Sequence, residues 1–377
     1  MQTETPSSNS ASPLAFFIPG LNGGGAQRVF VTLVNTLVNM TDHPIHLVTA
    51  RTGGAFENLV DEQVVRVVLG QNRVSQSILP LASYIRRHRP VALVSTLDYC
   101  NVVFLLSTFF TRVPFRKVIR EANVIPNDFN SFREKVKSNG LRLLMRWLYP
   151  LADDVIIITG AVEDSLSRER VVSADKFRRI PNPVVLEEHS RDAPEQVPVP
   201  DGRFILAIGR LSYQKGFDVL IQAFAQLPHE DTALVILGEG PLASGLKALA
   251  EKMGVSERVF FPGFVPNARD YLRAATLFVL SSRWEGFSNV LTEALAAGTQ
   301  IVAADCPGSP REVLEDGRLG RLVPVGDPSA LAAAISLELS NPSASAQDRM
   351  LRAQCYLPEK IARQYLEVMM ADQVSKA

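Results

Sequence analysis

The strongest constraint on this chain is a series of short, nearly unbroken apolar runs, rich in Val and Ile, alternating with helical stretches. The runs are Leu14–Pro19, Ile45–Ala50, Val64–Leu69, Val91–Thr96, Lys117–Glu121 and Val155–Thr159. Helical spacing falls between them at Gln27–Met40, Ile78–His88 and Leu141–Leu151. A strand with one wet face alternates polar and apolar residues, whereas a strand apolar throughout needs cover on both faces. Helical crossovers of a parallel sheet supply that cover. The pattern stops at Glu187–Pro200 (EEHSRDAPEQVPVP), which holds three prolines and no apolar period and reads as a linker. It then restarts. Strands are expected at Phe204–Gly209, Ala233–Leu237, Val259–Pro262, Leu277–Ser281, Ile301–Ala304 and Leu322–Val325. Helices are expected at Asp218–Leu227, Leu242–Met253, Ala268–Ala275, Asn289–Ala297, Pro310–Glu315 and Ser329–Leu339.

The expected class is therefore α/β, with two Rossmann-like βαβ domains facing a central cleft. The length of 377 residues suits this, since domains of ~150–190 residues each form one core. The reading divides the chain into a Ser/Thr/Asn/Pro-rich tail without order (1–13), a first domain (14–186), the linker (187–200), a second domain (201–357) and a final helix within 358–377 that could cross back to the first domain. Ligands of such sheets sit beyond the carboxyl ends of the strands, and pockets favour domain interfaces, so the cleft is the expected site.

Charge narrows the function. Lys+Arg and Asp+Glu both number 39, which excludes a globally basic nucleic-acid binder and an acidic disordered chain. The balance hides an asymmetry, because residues 1–186 hold 21 Lys/Arg against 15 Asp/Glu. Arg112–Arg146 alone has nine basic and three acidic residues, with Phe109, Phe110, Phe115, Phe129, Phe132, Trp147 and Tyr149 interleaved or flanking. Such a segment suits peripheral contact with anionic lipid, and reads equally as a solvated helix face over core aromatics. The three scattered cysteines imply a reducing compartment rather than a disulfide framework. No apolar run approaches the ~18 residues of a membrane span, and the start lacks a basic signal-peptide region. The expectation is a cytoplasmic protein, working at the inner face of a membrane.

Several familiar motifs fail. Gly20-Leu-Asn-Gly23-Gly24-Gly25 follows the first strand, but Arg28 stands where a dinucleotide fingerprint needs its third glycine. The second strand ends Thr49-Ala50-Arg51, without an acid for a ribose. NAD and FAD are not expected, although such a glycine cluster still lets an anion or substrate approach the backbone. No Gly-Lys-Ser/Thr occurs, the five histidines show no metal-ligand spacing, and Gly286-Phe-Ser288 lacks the last glycine of a hydrolase elbow. No metal and no cofactor are expected.

Three features of the second half belong together. Gly209-Arg210-Leu-Ser-Tyr-Gln-Lys215-Gly216 places two cations at a strand's carboxyl end, where a forked guanidinium and a compact ammonium suit a pyrophosphate. Trp284-Glu285-Gly286-Phe287-Ser288-Asn289-Val290-Leu-Thr-Glu293 runs into an Ala/Leu helix. Ser288 is expected to cap that helix, leaving the Gly286–Asn289 amides and the positive dipole end for an anion. Glu285, just before the helix, and Glu293, about one turn inside it, could face the hydroxyls of one sugar or ribose, or simply be favourable early-helix charges. Asp305-Cys306-Pro307-Gly308-Ser309-Pro310 reads as a close turn on the same edge. Gly263-Phe264-Val265-Pro266 has the backbone and apolar character to hold a nucleobase, and reads equally as a loop.

From about Phe204 to Val325, and most specifically in the strings GRLSYQKGFDVLIQAF and EGFSNVLTEALAAGTQIVAADCPGSPREVL, the chain resembles the donor domain of retaining glycosyltransferases of family 4, built on the GT-B architecture. The resemblance extends to the glycine turn at 20–28 and to Ile180-Pro-Asn182-Pro. It implies that Arg210 and Lys215 hold the donor diphosphate without a metal, that Glu285 lies by the donor sugar and that Glu293 holds the ribose. It also implies that the Gly286, Phe287, Ser288 and Asn289 amides approach the sugar and diphosphate, and that Gly23 and Gly24 form the acceptor domain's glycine turn. Two departures stand out. The family's histidine after a middle strand is missing from Ile119-Arg120-Glu121-Ala122-Asn123, which leaves Glu121 and Asn123 as sugar-side candidates. Gln27 stands where relatives often have Glu. The implied activity is transfer of a hexose or N-acetylhexosamine from a nucleotide sugar, UDP-linked by resemblance, to a lipid-linked or glycan acceptor in surface polysaccharide synthesis. A nucleotide-sugar epimerase and a non-catalytic nucleotide-sugar-binding protein are the competing classes.

Overall fold

The computed structural model describes residues 11–22, 24–122, 132–184, 202–228, 231–265 and 268–374, with the backbone alone for 132–139 and 372–374. Of the expected tail only residues 11–13 are described, and the expected linker lies outside the described residues. The chain divides into two compact units, Met1–Pro183 with Pro358–Ala377, and Val184–Leu357.

The first unit is a seven-stranded sheet, with β1 (Leu14–Ile18), β2 (Ile45–Thr49), β3 (Val65–Val68), β4 (Ala92–Thr96), β5 (Arg116–Glu121), β6 (Asp154–Ile157) and β7 (Phe177–Arg179) in the order β3-β2-β1-β4-β5-β6-β7. Every pairing is parallel. Helices α1 (Gly25–Leu37), α2 (Ile78–His88), α3 (Asp98–Thr108), α4 (Phe132–Leu148) and α5 (Gly160–Arg168) make the crossovers. Chain direction across the sheet reverses between β3 and β4, so right-handed connections put α1 on one face and α2 to α5 on the other. β1 is buried at all five positions, and α1 lays Val29, Phe30, Leu33, Val34 and Leu37 over it. Phe16 meets Phe30 edge-on at 5.3 Å.

The second unit has a six-stranded parallel sheet ordered β10-β9-β8-β11-β12-β13. Its strands are β8 (Arg203–Ile208), β9 (Thr232–Leu237), β10 (Val259–Gly263), β11 (Leu277–Leu280), β12 (Gln300–Ala304) and β13 (Arg321–Val323). Its helices are α6 (Phe217–Phe224), α7 (Ala243–Lys252), α8 (Ala268–Ala274), α9 (Asn289–Ala297), α10 (Pro310–Val313), α11 (Pro328–Ser340) and α12 (Ala346–Ala353). Alternate residues of β8 feed two cores. Ile205 and Ala207 pack with Leu220, Phe224 and Ile335, while Phe204 and Leu206 pack with Phe278, Leu291 and Leu295. The last helix, α13 (Pro358–Val374), returns to the first unit, where Ile361, Ala362, Tyr365 and Met369 join the core of β1 and α1.

Four elements lie outside the sequence expectations. β7 reads Phe-Arg-Arg and has no apolar run to mark it. α3 is buried from Cys100 to Leu105, so no polar face gives it a helical period. The short α5 and α12 were likewise not expected. Both sheets reverse direction next to their first strand, β1 against β4 and β8 against β11. Loops that leave such adjacent strands in opposite directions open a crevice at the carboxyl edge.

Candidate active site

In the second unit the crevice falls between the loop after β8 and the loop after β11. The first loop turns through Tyr213–Lys215 and reaches α6 at Gly216, whose φ of 62° is left-handed. A Cβ there would lie 2.1 Å from the Ser281 carbonyl oxygen, so only glycine lets the loops approach. The loops then tie together. Lys215 Nζ donates to Glu285 Oε1 at 2.6 Å, and Ser282 Oγ donates to the same oxygen at 2.6 Å. Glu285 is buried, and the Lys215 side chain nearly so. Ser281 Oγ donates to the Lys215 carbonyl at 2.8 Å, and Arg283 N donates to the Gln214 carbonyl at 2.7 Å.

Arg283 braces the outer side of this contact. Its guanidinium forks onto both Asp218 oxygens at 2.9 and 2.7 Å and stands 4.0 Å over the Tyr213 ring. Burial pushes the Asp218 carboxyl upward, but the hydrogen bonds and charge of Arg283 hold it below its ordinary value. The loop after β12 backs the arrangement. Glu285 N donates to the Pro307 carbonyl at 2.9 Å, and Ser288 N donates to Ser309 Oγ at 2.9 Å. A Cβ on Gly308 (φ 132°) would meet the Glu285 carbonyl oxygen at 2.3 Å. Burial, then the Glu285 charge, pushes the Cys306 thiol up to about 12, so it stays protonated and is no nucleophile.

The remaining candidates lie on loops and a helix start that follow strands of the same sheet. Arg210 is exposed at the start of the first loop and makes no ion pair with a described residue. Asn289 begins α9 and Glu293 lies half-buried one turn on. Val265 is half-buried after β10, packed on the core beside the exposed Phe264. The expected capping by Ser288 needs correction. Ser288 occupies the cap position of α9, but its side chain makes no capping bond, because the loop turns its amide, not its hydroxyl, toward Ser309. Its buried Oγ has no partner among the described residues, and the first turn of α9 carries no acid. The amides of Gly286 and Phe287 make no hydrogen bond to a described residue.

In the first unit, Gly24 is the extended, exposed residue before α1, while Gly23 and Asn123 lie outside the described residues. Glu121 ends β5 with 2% exposure, its carboxylate accepting from the Tyr149 hydroxyl at 2.7 Å. Burial and the Glu121 charge push that hydroxyl's pKa well up. Arg120 is equally buried and donates to Thr96 Oγ1 at 2.8 Å and to Asn182. Sequence reasoning passed over Ser282, Ser309 and the Arg283–Asp218 pair. Two serines directly after an apolar strand were the available signal for Ser282; the others are fixed only by the fold. Among the described residues no group of three or more His, Cys, Asp or Glu could hold a metal, and no helix is long and apolar enough to cross a membrane.

Comparison with known proteins gives this geometry its context. The family described as "Glycosyl transferases group 1" matches residues 190–354, and "Glycosyltransferase Family 4" matches residues 23–188. The chain is 29% identical over 375 residues to the N-acetylgalactosamine-N,N'-diacetylbacillosaminyl-diphospho-undecaprenol 4-alpha-N-acetylgalactosaminyltransferase of Campylobacter jejuni, covering 95% of this chain and 99% of that one. Its fold matches sucrose-phosphate synthase from Thermosynechococcus elongatus with a TM-score of 0.82 at 20% identity, covering 97% of this chain and 100% of the other. The Anabaena protein HepE, solved in complex with UDP-glucose, matches with a TM-score of 0.78 at 19% identity, over 97% of this chain and 100% of the other.

Proposed function

This chain belongs to the group 1 glycosyltransferases, with the two Rossmann-like units of the GT-B fold, and we propose that it moves a hexose or N-acetylhexosamine from a UDP-linked sugar to a lipid-linked or glycan acceptor. The reading includes retention of the anomeric configuration, no metal, and a place in surface polysaccharide synthesis at the inner face of a membrane. The observation that carries it is the Lys215–Glu285 contact of 2.6 Å, closed by Ser282, at the direction reversal of the second sheet. A cation held there by a buried carboxylate is an anion site satisfied by its own counter-charge until a ligand arrives.

In this reading the diphosphate draws Lys215 from Glu285 and takes Arg210 as its second cation. Glu285, freed, accepts from the donor sugar's hydroxyls, and Glu293 accepts from the ribose. The Gly286 and Phe287 amides and the Ser288 hydroxyl are donors left for phosphate or sugar oxygens, and Val265 flanks the nucleobase. Gly23 and Gly24 form the glycine turn of the first unit. Glu121, whose carboxylate accepts from the Tyr149 hydroxyl, acts as a positioning residue at the end of β5 rather than touching the sugar. The bond from the anomeric carbon to the β-phosphate oxygen breaks, and a bond to the acceptor oxygen forms on the same face. The acceptor proton passes to the departing phosphate oxygen. Negative charge grows on the diphosphate as it leaves, so fixed cations and amides stabilise the transition state more than the ground state. The Campylobacter relative, named for a diphospho-undecaprenol acceptor, and the UDP-glucose complex of HepE support the choice of acceptor and nucleotide.

Incubation with UDP-, GDP- and ADP-sugars, with melting read in parallel, tests the donor. UDP should raise the melting point, since a ligand bound only by the folded state stabilises it. Lys215→Ala should lower kcat by ~10²–10³, the scale of a lost oxyanion donor. Turnover near that of wild type in this variant would overturn the assignment. The product's anomeric coupling, read by NMR, decides retention, and unchanged turnover in a chelator is expected.

A further inference from the structure

Helices α2, α3 and α4 lie side by side, α2 on α3 and α3 on α4. Each precedes a parallel strand, so all three run back to the amino edge of the sheet and end there together. α2 ends in Arg86, Arg87 and, just past it, Arg89, all exposed. α3 runs out into Phe109 and Phe110, 63% and 51% exposed, followed by the exposed Arg112. α4 ends with Leu143, Leu144 and Trp147 outward, 57%, 44% and 75% exposed, Leu143 and Trp147 being one turn apart on one stripe.

Within the basic segment, the described residues other than Arg112 are already engaged. Arg116 pairs with Asp154, Lys117 with Asp153, and Arg142 and Arg146 with Glu169, while Arg120 is buried. Arg86, Arg87, Arg89 and Arg112 make no ion pair with any described residue. Between Arg86 and Arg116 the single acid is Asp98, at the opposite end of α3. Four guanidinium groups without an ion pair among the described residues and five large, exposed apolar side chains thus share the ends of these adjacent helices. A patch of that kind on a soluble surface marks an interaction site. Aromatic side chains beside free cations match the headgroup level of an anionic bilayer, where rings sit at the boundary and guanidinium groups meet phosphates.

We infer that the amino edge of the first unit, formed by the ends of α2, α3 and α4, docks on an anionic lipid surface. Phe109, Phe110 and Trp147 enter the headgroup region, and Arg86, Arg87, Arg89 and Arg112 bind lipid phosphates. The inference extends the proposed lipid-linked acceptor by naming the face the enzyme turns to that acceptor's membrane. Leu143, Leu144 and Trp147 lie along α4, so the bilayer meets a helix that leads back toward the carboxyl edge.

Flotation of the full chain with vesicles of phosphatidylcholine alone, or mixed with phosphatidylglycerol, tests it. Binding is expected on the mixed vesicles at low salt. Replacing the four arginines by Gln should weaken it by roughly fivefold per arginine, the scale of one basic residue near an anionic surface. Phe109→Ser with Phe110→Ser should weaken binding to the same vesicles, and Trp147 emission should shift to the blue on binding, a shift that Trp147→Phe removes. No binding at low salt, or binding unchanged in both variant sets, would overturn the inference. So would a wild-type dimer in solution that the Phe109/Phe110 substitutions dissociate, since the patch would then belong to a second copy. Stabilisation by UDP, measured on the same variants, should stay at the wild-type level. Loss of docking with UDP stabilisation intact sinks only the lipid face, whereas failure of UDP to stabilise wild type sinks the donor reading instead.

Discussion

At the residue scale, the site is organised by one oxygen. Glu285 Oε1 receives both Lys215 and Ser282, so the carboxylate fixes the lysine and the strand end at once. Glu285→Gln would keep the shape but leave Lys215 without its counter-charge, and loss of transfer with UDP binding retained is the expected outcome. Titration calorimetry with UDP, run beside the transfer assay, separates the two. Gly308→Ala is a second test, because its methyl would overlap the Glu285 carbonyl at 2.3 Å. Overpacking of this kind costs about 1–3 kcal/mol and moves the backbone that carries Glu285. Lower stability in urea together with a fall in kcat is therefore expected. Arg210, Lys215 and Glu285 could be picked out as candidates because each lies in a loop that leaves an apolar strand, where a charge has no packing use, whereas Glu293 lies inside α9. Ser288 was misjudged for a physical reason. A serine before a helix can offer its hydroxyl inward, but here its amide is claimed by Ser309, and the loop geometry that decides this is invisible in the sequence.

At the scale of elements, α13 is the clearest case of a helix whose receiving residues the sequence could not name. Its amphipathic spacing was readable, but nothing local says which core receives Ile361, Tyr365 and Met369. They pack with Phe16 and its neighbours in the first unit, and Tyr365 lies 6.5 Å from the Phe16 ring. Ile361→Ala should cost about 2–4 kcal/mol as a buried large-to-small change. Denaturant unfolding should show that loss, while Lys215 and Glu285, in the other unit, keep their hydrogen bond. The strands were legible wherever both faces are covered, as in β1 and β9, where every residue is buried. β7 was not, because an edge strand reading Phe-Arg-Arg keeps only one side against the sheet. α3 failed in the opposite way, being so deeply buried that its pattern loses the polar face that marks a helix.

At the scale of the whole molecule, stability should depend on acidity through a buried histidine. His46 Nδ1 lies 2.9 Å from the Tyr84 hydroxyl, and burial, then the charge of His88, lowers its pKa to about 4. Burial, then Arg87, lowers His88 as well. The unfolded chain therefore binds protons that the folded chain refuses. Stability is full above the ordinary histidine value of about 6.5 and falls as pH drops from there toward the folded value. The His46 share of that loss is about 2–3 kcal/mol. Urea midpoints between pH 7 and pH 5 should decline, and His46→Gln should flatten the decline even if it lowers the starting point. A midpoint that holds steady over that range would remove the buried-neutral description of this histidine.

The return of α13 to the first unit also has a consequence for how the protein is made. The second unit is one uninterrupted stretch, Val184–Leu357, and has all its strands as soon as that stretch leaves the ribosome. The first unit cannot close its core until Ile361 and Tyr365 emerge. At about 5–20 residues per second, synthesis of the intervening chain takes on the order of ten to forty seconds. For that interval, while the second unit is being made, the first unit stands with an open groove over β1 and α1, which is the surface that a ribosome-bound chaperone would find.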